Sequence, residues 1–339
     1  MVPSKWVRQI KRFFEPKAIV LMYHRVADLP ADPWQLAVQP NHFEQQLKVL
    51  HKKFKVIPVQ ELVTQLNSRT VQSSTVCITF DDGYSDNFVY AKPLLEKYAC
   101  PATFFIASQY IDRKQLFWWD ELQHILLDSP ELPENIQLSI DGTTYSYHLE
   151  AETVLTKRRS MQQKAWVAPE HPPTRRCELY LHLWERLRPL PDAELQDMLA
   201  MIRTWAHYHM KPEKINWPMT RAQLQGIAKH PLFDIGLHTV THPALSFHPE
   251  DTQSREILDN RDSLNKICHH PLNMLTYPYG DYNDATISVV KKEHLSAAFT
   301  TTEQVVTRRS DPYCLGRFQV KNWGRREFEA RLSQWAKSF

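Results

Sequence analysis

Glycine is scarce in this 339-residue chain, with only seven. Four of them, Gly83, Gly236, Gly280 and Gly316, fall in the segments that matter below. Glycine is used where backbone must turn sharply or come close to something. Cysteine is odd in number, at five, widely spread and without a CxxC pair. That spacing argues against a disulfide framework and for reduced, buried thiols in a cytosolic protein. No apolar run approaches the ~20 residues of a membrane span. The N-terminal residues contain no hydrophobic h-region, so a secretory signal is not expected and a cytoplasmic location is. The net charge of +3 is too small for a nucleic-acid footprint, and no basic stripe with interleaved aromatics appears. No internal repeat is visible.

What is present is ordinary in bulk. Hydrophobic residues make up 42% and charged residues 23%, as in a soluble globular protein. The length allows one large barrel domain with an insertion, or two domains. Residues 1–17 form a basic amphipathic segment. Trp6, Ile10, Phe13 and Phe14 repeat at helical spacing, with Lys5, Arg8, Lys11 and Arg12 opposite. Such a helix either docks on the domain or lies on a membrane surface, through residues 1–16.

Apolar strand-like runs then alternate with amphipathic helical stretches over 18–112 and again over 219–339. Ala18–Tyr23, Val76–Phe80, Pro101–Ala107, Phe233–Leu237 and Asn273–Tyr277 read as buried strands. Helices are expected at about 41–53, with Asn41 as N-cap, at 60–66, 86–98, 220–229, 250–268 and 284–293, and from 325. Short strands are expected at 54–59, 297–301 and 315–320. Strand, helix, strand at this spacing implies parallel βαβ units. Between 113 and 218 the pattern changes to charged helical segments broken by prolines, rich in tryptophan, with a small hairpin around 141–142. This region reads as a mostly helical insertion.

Four polar clusters sit where apolar strands end: His24-Arg25, Asp81-Asp82, His238 with His242, and Tyr279-Gly280. In a parallel α/β barrel those ends open on one face, where active sites are built. Two adjacent carboxylates are costly to hold together unless a cation sits between them or one is protonated. Asp82, His238 and His242 offer a carboxylate and two imidazoles, a set that leaves positions open for water. Asp81, close to the cation but off it, can then take a proton from water. Read singly, HxxxH is a common surface spacing and Asp-Asp a common helix start; their placement at successive strand ends carries the reading.

Thr79-Phe80-Asp81-Asp82-Gly83 and His238-Thr239-Val240-Thr241-His242-Pro243 resemble the first two signature motifs of the polysaccharide deacetylase family (NodB homology, carbohydrate esterase 4). Tyr277-Pro278-Tyr279-Gly280 is similar to the third. Leu21–Val26 and Leu315-Gly316-Arg317 also resemble positions in a branch of that family. The likeness covers about 18–112 and 220–320. It implies an α/β fold, an irregular (β/α)7 barrel, and metal-dependent removal of an N-acetyl group from an amino sugar in a polysaccharide or lipid-linked glycan. It implies Asp81 as general base, Asp82, His238 and His242 as ligands of a divalent metal, Zn²⁺ in the first instance, and the Tyr279 backbone N–H at the oxyanion. Tyr84 and Trp118 are further candidates for substrate binding.

Two departures from the family pattern stand out. The arginine that often precedes the third motif's proline is absent, and no histidine follows His294. Arg317 is the candidate partner of Asp81, and His24 the candidate acid. Trp118-Trp119 can be a sugar platform or the core of the insertion, and Asp32-Pro33-Trp34 can border the mouth. Other readings stay open: N-deformylation, O-deacetylation, or a silent barrel that binds sugar.

Overall fold

A computed structural model describes residues 15–140, 142–209, 217–268 and 272–337. The chain forms two compact units. One comprises Met1–Asp28, Leu36–Asp112 and Met219–Phe339; the other comprises Leu29–Gln35 and Arg113–Pro218. The expected basic helix over 1–16 lies almost wholly outside the described residues.

The first unit is built on one parallel sheet. Its strands are β1 (Ala18–Tyr23), β2 (Lys55–Val56), β3 (Thr75–Phe80), β4 (Ala102–Ile106), β5 (Phe233–Leu237), β6 (Met274–Thr276), β7 (Ala297–Phe299) and β8 (Phe318–Gln319). Seven follow one path, β7-β6-β5-β4-β3-β1-β8, and β2 pairs β3 beside it. β2 lies along the start of β3, with Lys55 opposite Thr75. β4 lies along its end, with Phe80 opposite Phe104. The sheet curls back on itself: Leu315 bridges Phe299 in parallel, and three residues later Phe318 pairs with Leu21. The result is an irregular (β/α)7-type barrel.

The strand sequences explain why the sheet is covered on both faces. β1 and β3 are buried at every position, as parallel strands with two packed faces must be. Side chains alternate. Ile19, Leu21, Tyr23, Val76, Ile78 and Phe80 join an outer core with helices Pro40–Lys53, Glu250–Cys268 and Arg325–Lys337. Ala18, Val20, Cys77, Phe105, Met274 and Phe299 form a smaller inner core with Leu62, Val63 and Leu66 of helix Val59–Asn67. Gly236 lies opposite Phe105 in the ladder. A Cβ there would stand 2.3 Å from the Phe105 ring, so the inner core has room for that ring only because residue 236 has no side chain.

Element boundaries differ from the sequence expectation in places. The helix expected from Asn41 starts at Pro40, with Gln39 at its cap; proline fits the first turn because it lacks the N–H that would go unpaired there. The stretch expected as helix 86–98 opens with a π-helical turn, Asn87–Ala91, before Lys92–Lys97. The strands expected at 54–59, 297–301 and 315–320 are shorter, at Lys55–Val56, Ala297–Phe299 and Phe318–Gln319. Thr220 caps its helix in a capping box with Gln223.

The second unit contains helices Trp118–Gln123, Lys157–Ala165, Arg175–Leu187 and Asp192–Trp205, and an antiparallel hairpin, Asn135–Ile140 with Thr143–His148. Arg176 is fully buried and donates to the carbonyls of Ser129, Glu152 and Thr153, tying two chain segments to one helix. Trp34 packs on Trp184 at 4.3 Å and donates to the Tyr180 hydroxyl at 2.8 Å, so Asp32-Pro33-Trp34 belongs with this unit.

Candidate active site

The ends of β1, β3, β5, β6 and β8 bring the chemistry together. Asp81 follows β3 directly, and its backbone N–H donates to the Tyr23 carbonyl at the end of β1. Arg317, one residue before β8, is completely buried. It grips Asp81 through two parallel bonds, Nη1 to Oδ1 at 2.8 Å and Nη2 to Oδ2 at 2.7 Å. It also donates to Thr79 Oγ1 at 3.1 Å and to the Thr300 carbonyl at 3.1 Å. A fork-to-fork pair with two further bonds, to Thr79 and Thr300, fixes the carboxylate in plane and direction.

Asp82 turns the other way. Its Oδ1 lies 3.2 Å from His238 Nε2 and 3.4 Å from His242 Nε2. All three residues are buried, and their ligand atoms lie within 4.8 Å of one another. Atoms bound to one ion at ~2.0–2.2 Å in a tetrahedral array stand about 3.3–3.5 Å apart, so the Asp82–histidine separations match a shared ion. The far nitrogen of His238 faces the Thr276 carbonyl at 2.9 Å and the Thr276 hydroxyl at 2.6 Å. A bond from Nδ1–H to the carbonyl leaves Nε2 as the lone-pair nitrogen, the tautomer a metal requires.

The backbone here is unusual. Asp82, Thr239, His242 and Tyr279 all have positive φ, at 71°, 66°, 64° and 58°. Non-glycine residues in this region cost roughly 1–3 kcal/mol each and persist where the surroundings over-determine them. Tyr279 sets its ring edge-on to His242 at 4.5 Å. Gly280, at φ +69°, has the Thr301 hydroxyl 2.1 Å from where a Cβ would be, so no other residue fits there.

The electrostatics separate the two carboxylates from ordinary ones. Burial alone would raise Asp81, but Arg317, followed by His238, holds it below the usual range. Burial likewise opposes charge on Asp82, and the adjacent His238 and His242 rings hold it far lower still. His238 is raised, because Asp82 and Asp81 outweigh burial. His242 is lowered, because burial wins. Two ionised acids side by side, one gripped by arginine and one by imidazoles, form a site built for a further positive charge.

His24 follows β1 and is near enough to both acids to lower each. Its Nδ1 is buried and has no hydrogen-bond partner among the described residues. Arg25 turns to the opposite side and pairs with buried Asp86 at 2.9 Å.

Two sequence expectations need correction. Tyr84 is fully buried, with the Arg25 guanidinium 4.3 Å above its ring, so it forms part of the wall and does not face substrate. Trp118 is 2% exposed and packs against Trp119 and Trp184, so it is core of the insertion and offers no face for a sugar. In both cases the residue's position next to a motif or a boundary was the only signal, and tertiary packing decides burial. Thr79, Thr276, Glu256 and Asn260 touch the site residues and were not anticipated; each is a common polar residue whose role exists only in the folded contacts.

The comparisons with known proteins follow this geometry. The sequence profile described as polysaccharide deacetylase matches residues 68–132 and 187–298, more than half the chain. The chain belongs to the polysaccharide deacetylase family. It is accordingly an amidohydrolase acting on carbon–nitrogen bonds. A Bacillus subtilis protein, YxkH, named as a polysaccharide deacetylase, is 21% identical over 319 residues, covering 94% of this chain and 75% of that one. A poly-β-1,6-N-acetyl-D-glucosamine N-deacetylase of Staphylococcus epidermidis is 30% identical over 125 residues, 34% of this chain and 42% of its own. Among solved structures, the Streptococcus pyogenes deacetylase PplD, in complex with acetate, aligns with TM-score 0.58 at 18% identity, covering 94% of this chain and 98% of that one. IcaB from Ammonifex degensii aligns with TM-score 0.58 at 16% identity, covering 95% and 98%. At these identities the structural likeness speaks for the fold alone. No arginine stands shortly before Pro278 in this chain, and Arg317 is the residue that pairs with Asp81.

Proposed function

We propose that this deacetylase-family chain removes the N-acetyl group from an amino sugar in a polysaccharide or lipid-linked glycan, and does so with a divalent metal, zinc in the first instance. The observation that carries this reading is the division of labour between neighbouring acids: Asp82 faces two imidazoles while Asp81 is turned away and clamped by Arg317. The donor set of one carboxylate and two neutral-capable imidazoles fits zinc, with Asp82, His238 and His242 as its ligands. A cation bound there polarises the carbonyl and acidifies water.

The chain's own residues do the rest. Asp81, ionised and fixed, accepts the proton from the attacking water. The backbone N–H of Tyr279 stabilises the oxyanion of the tetrahedral intermediate. His24 gives a proton to the departing amine, without which the carbon–nitrogen bond does not break. Arg317 is a positioning residue for Asp81. The glucosamine class is supported by the Staphylococcus epidermidis relative's name. A cytoplasmic enzyme on the membrane face, using residues 1–16, is the location this reading carries.

The test is metal analysis together with acetate release from N-acetylglucosamine oligomers and lipid-linked sugars, by the parent chain and by Asp81→Asn. Acetate and free amine in stoichiometric yield support the reading. Formate, or a free hydroxyl in place of amine, points to a different acyl bond. Loss of the general base should cost ~10²–10⁴-fold, and a loss under about tenfold sinks the role given to Asp81.

A further inference from the structure

The loop that delivers the two histidines does not hold its own shape. Thr239 and His242 both sit at positive φ, so the segment His238–His242 turns twice through a conformation that side chains resist. Within the loop, the His242 N–H donates to Thr239 Oγ1 at 3.1 Å and the Thr239 hydroxyl donates to the His238 carbonyl at 2.5 Å. From outside the loop, the Ser108 and Gln109 N–H groups donate to the Thr239 and Val240 carbonyls at 3.2 and 2.9 Å, and helix Glu250–Cys268, which follows the loop and packs beside β5, supplies side-chain bonds.

Two side chains on that helix, one turn apart, take hold of four consecutive loop residues. Asn260 Oδ1 accepts the His238 N–H at 3.2 Å. Asn260 Nδ2 donates to the Thr239 carbonyl, and to the Ile106 carbonyl at the end of β4 at 3.0 Å. Glu256 Oε2 accepts the N–H groups of Val240 at 2.8 Å and Thr241 at 2.9 Å. Glu256 Oε1 accepts the Thr241 hydroxyl at 2.9 Å. Residues at i and i+4 share a helix face, so a single rigid surface presents both. Asn260 is fully buried, so its three bonds have no competition from water. Neither residue reaches the ligand atoms of the site.

We propose that Glu256 and Asn260 are positioning residues for the metal centre. They hold the strained His238–His242 loop in its ligating form before an ion arrives, and thereby set the affinity of the site for a divalent cation. The proposal rests on the metal reading of Asp82, His238 and His242. An ion that must order its own ligands binds more weakly by the cost of ordering them. Outer-shell partners of metal ligands typically carry roughly 10–100-fold in affinity.

The experiment measures Zn²⁺ and Co²⁺ dissociation constants by chelator competition, with the Co²⁺ visible spectrum as a signature of geometry. It uses the full chain, Glu256→Ala, Glu256→Asp, Glu256→Gln and Asn260→Asp. Glutamine can place its oxygen on the Val240 and Thr241 N–H groups and its amide against the Thr241 hydroxyl, so Glu256→Gln should stay within about threefold of the parent. Glu256→Ala removes the acceptor and Glu256→Asp withdraws it by one methylene. Asn260→Asp keeps the acceptor for His238 and sets a carboxylate against two carbonyls. These three should bind roughly 10–100-fold more weakly with an altered Co²⁺ spectrum. Circular dichroism reports folding, and Glu256→Asp keeps the test open should larger changes unfold the chain. Folded variants that bind both ions as tightly as the parent overturn the proposal. A parent chain that binds neither ion, or binds it equally after Asp82→Asn, overturns the metal reading itself.

Discussion

Arg317 and Asp81 are 236 residues apart in the chain and share two bonds of 2.7 and 2.8 Å in the fold. Both side chains are buried. Removing one member of such a pair leaves the other charged and unpartnered, which costs about 3–5 kcal/mol. Arg317→Met should therefore lower the urea-unfolding free energy at pH 7 by about that amount. Asp81→Asn/Arg317→Met should lose less than the two single changes added together, because no lone charge remains. Strict additivity in the cycle would mean the pair does not act as a unit.

The same contact sets a pH dependence with a definite sign. Asp81 has a folded pKa below its unfolded value, because Arg317, His238 and His24 together more than offset burial. Its contribution to stability is therefore present above the ordinary carboxylate range near 4 and is lost as pH falls through the depressed value. As a base it stays ionised to correspondingly low pH. Without Arg317, burial dominates and the carboxyl titrates higher. The acidic limb of kcat/KM should thus move to higher pH in Arg317→Met, and kcat at pH 7 should fall while the substrate KM changes little. An unmoved limb would show that Asp81 is not the group that titrates.

Metal removal gives a third outcome. Ligands held in a folded loop and dispersed in the unfolded chain make the ion a stabiliser of the native state alone. At a free concentration 100 times the dissociation constant, that linkage is worth about 2.7 kcal/mol. Dialysis against a chelator should abolish deacetylation and lower the midpoint of thermal unfolding, and returning the ion should restore both. Asp82→Asn should show the lower midpoint from the start and no response to ion, since Asp82 faces both imidazoles.

Much of this site was legible because its chemistry is written in residue types at recognisable places. A buried run ending in Asp81-Asp82, and another ending in His238 with His242 four residues on, can be located without coordinates. Even Arg317 could be proposed, from the Leu315-Gly316-Arg317 stretch on an expected late strand, although the strand begins one residue after it. The supports could not. Thr276 matters because its carbonyl and hydroxyl meet His238, and Glu256 and Asn260 because their helix face meets the loop; nothing in a threonine, a glutamate or an asparagine announces such partners. The aromatics erred for a related reason. Tyr84 and Trp118 carry the right surface for a sugar, but whether an aromatic faces solvent is decided by neighbours such as Arg25 and Trp184. Helix ends shifted by a residue or so, as where the helix expected from Asn41 starts at Pro40 with no side chain bonded at its cap.

The barrel interior yields a prediction about packing. Gly236→Ala would place a methyl 2.3 Å from Phe105, and neither neighbouring strand has slack. Overpacking of this kind typically costs about 1–3 kcal/mol, measurable as a shift of the denaturant midpoint with unchanged slope. Phe105→Leu in the same chain should recover part of that loss, since the smaller side chain vacates the contested space. If the second change only adds to the first, the clash lies elsewhere.

His24 closes the list of testable roles, and here leaving-group chemistry separates acid catalysis from structural support. An amine departs poorly from a tetrahedral carbon unless it is protonated first. A nitrophenolate departs unaided. His24 stands beside both acids with a buried Nδ1 that has no partner among the described residues. His24→Gln should reduce kcat on an N-acetyl sugar by ~10²–10⁴-fold, the usual worth of a positioned proton donor. On a nitrophenyl ester the same variant should lose less than about tenfold, with the metal still bound. Equal losses on both substrates would mean that His24 supports the geometry of the site, and the proton for the amine would have to come from another group.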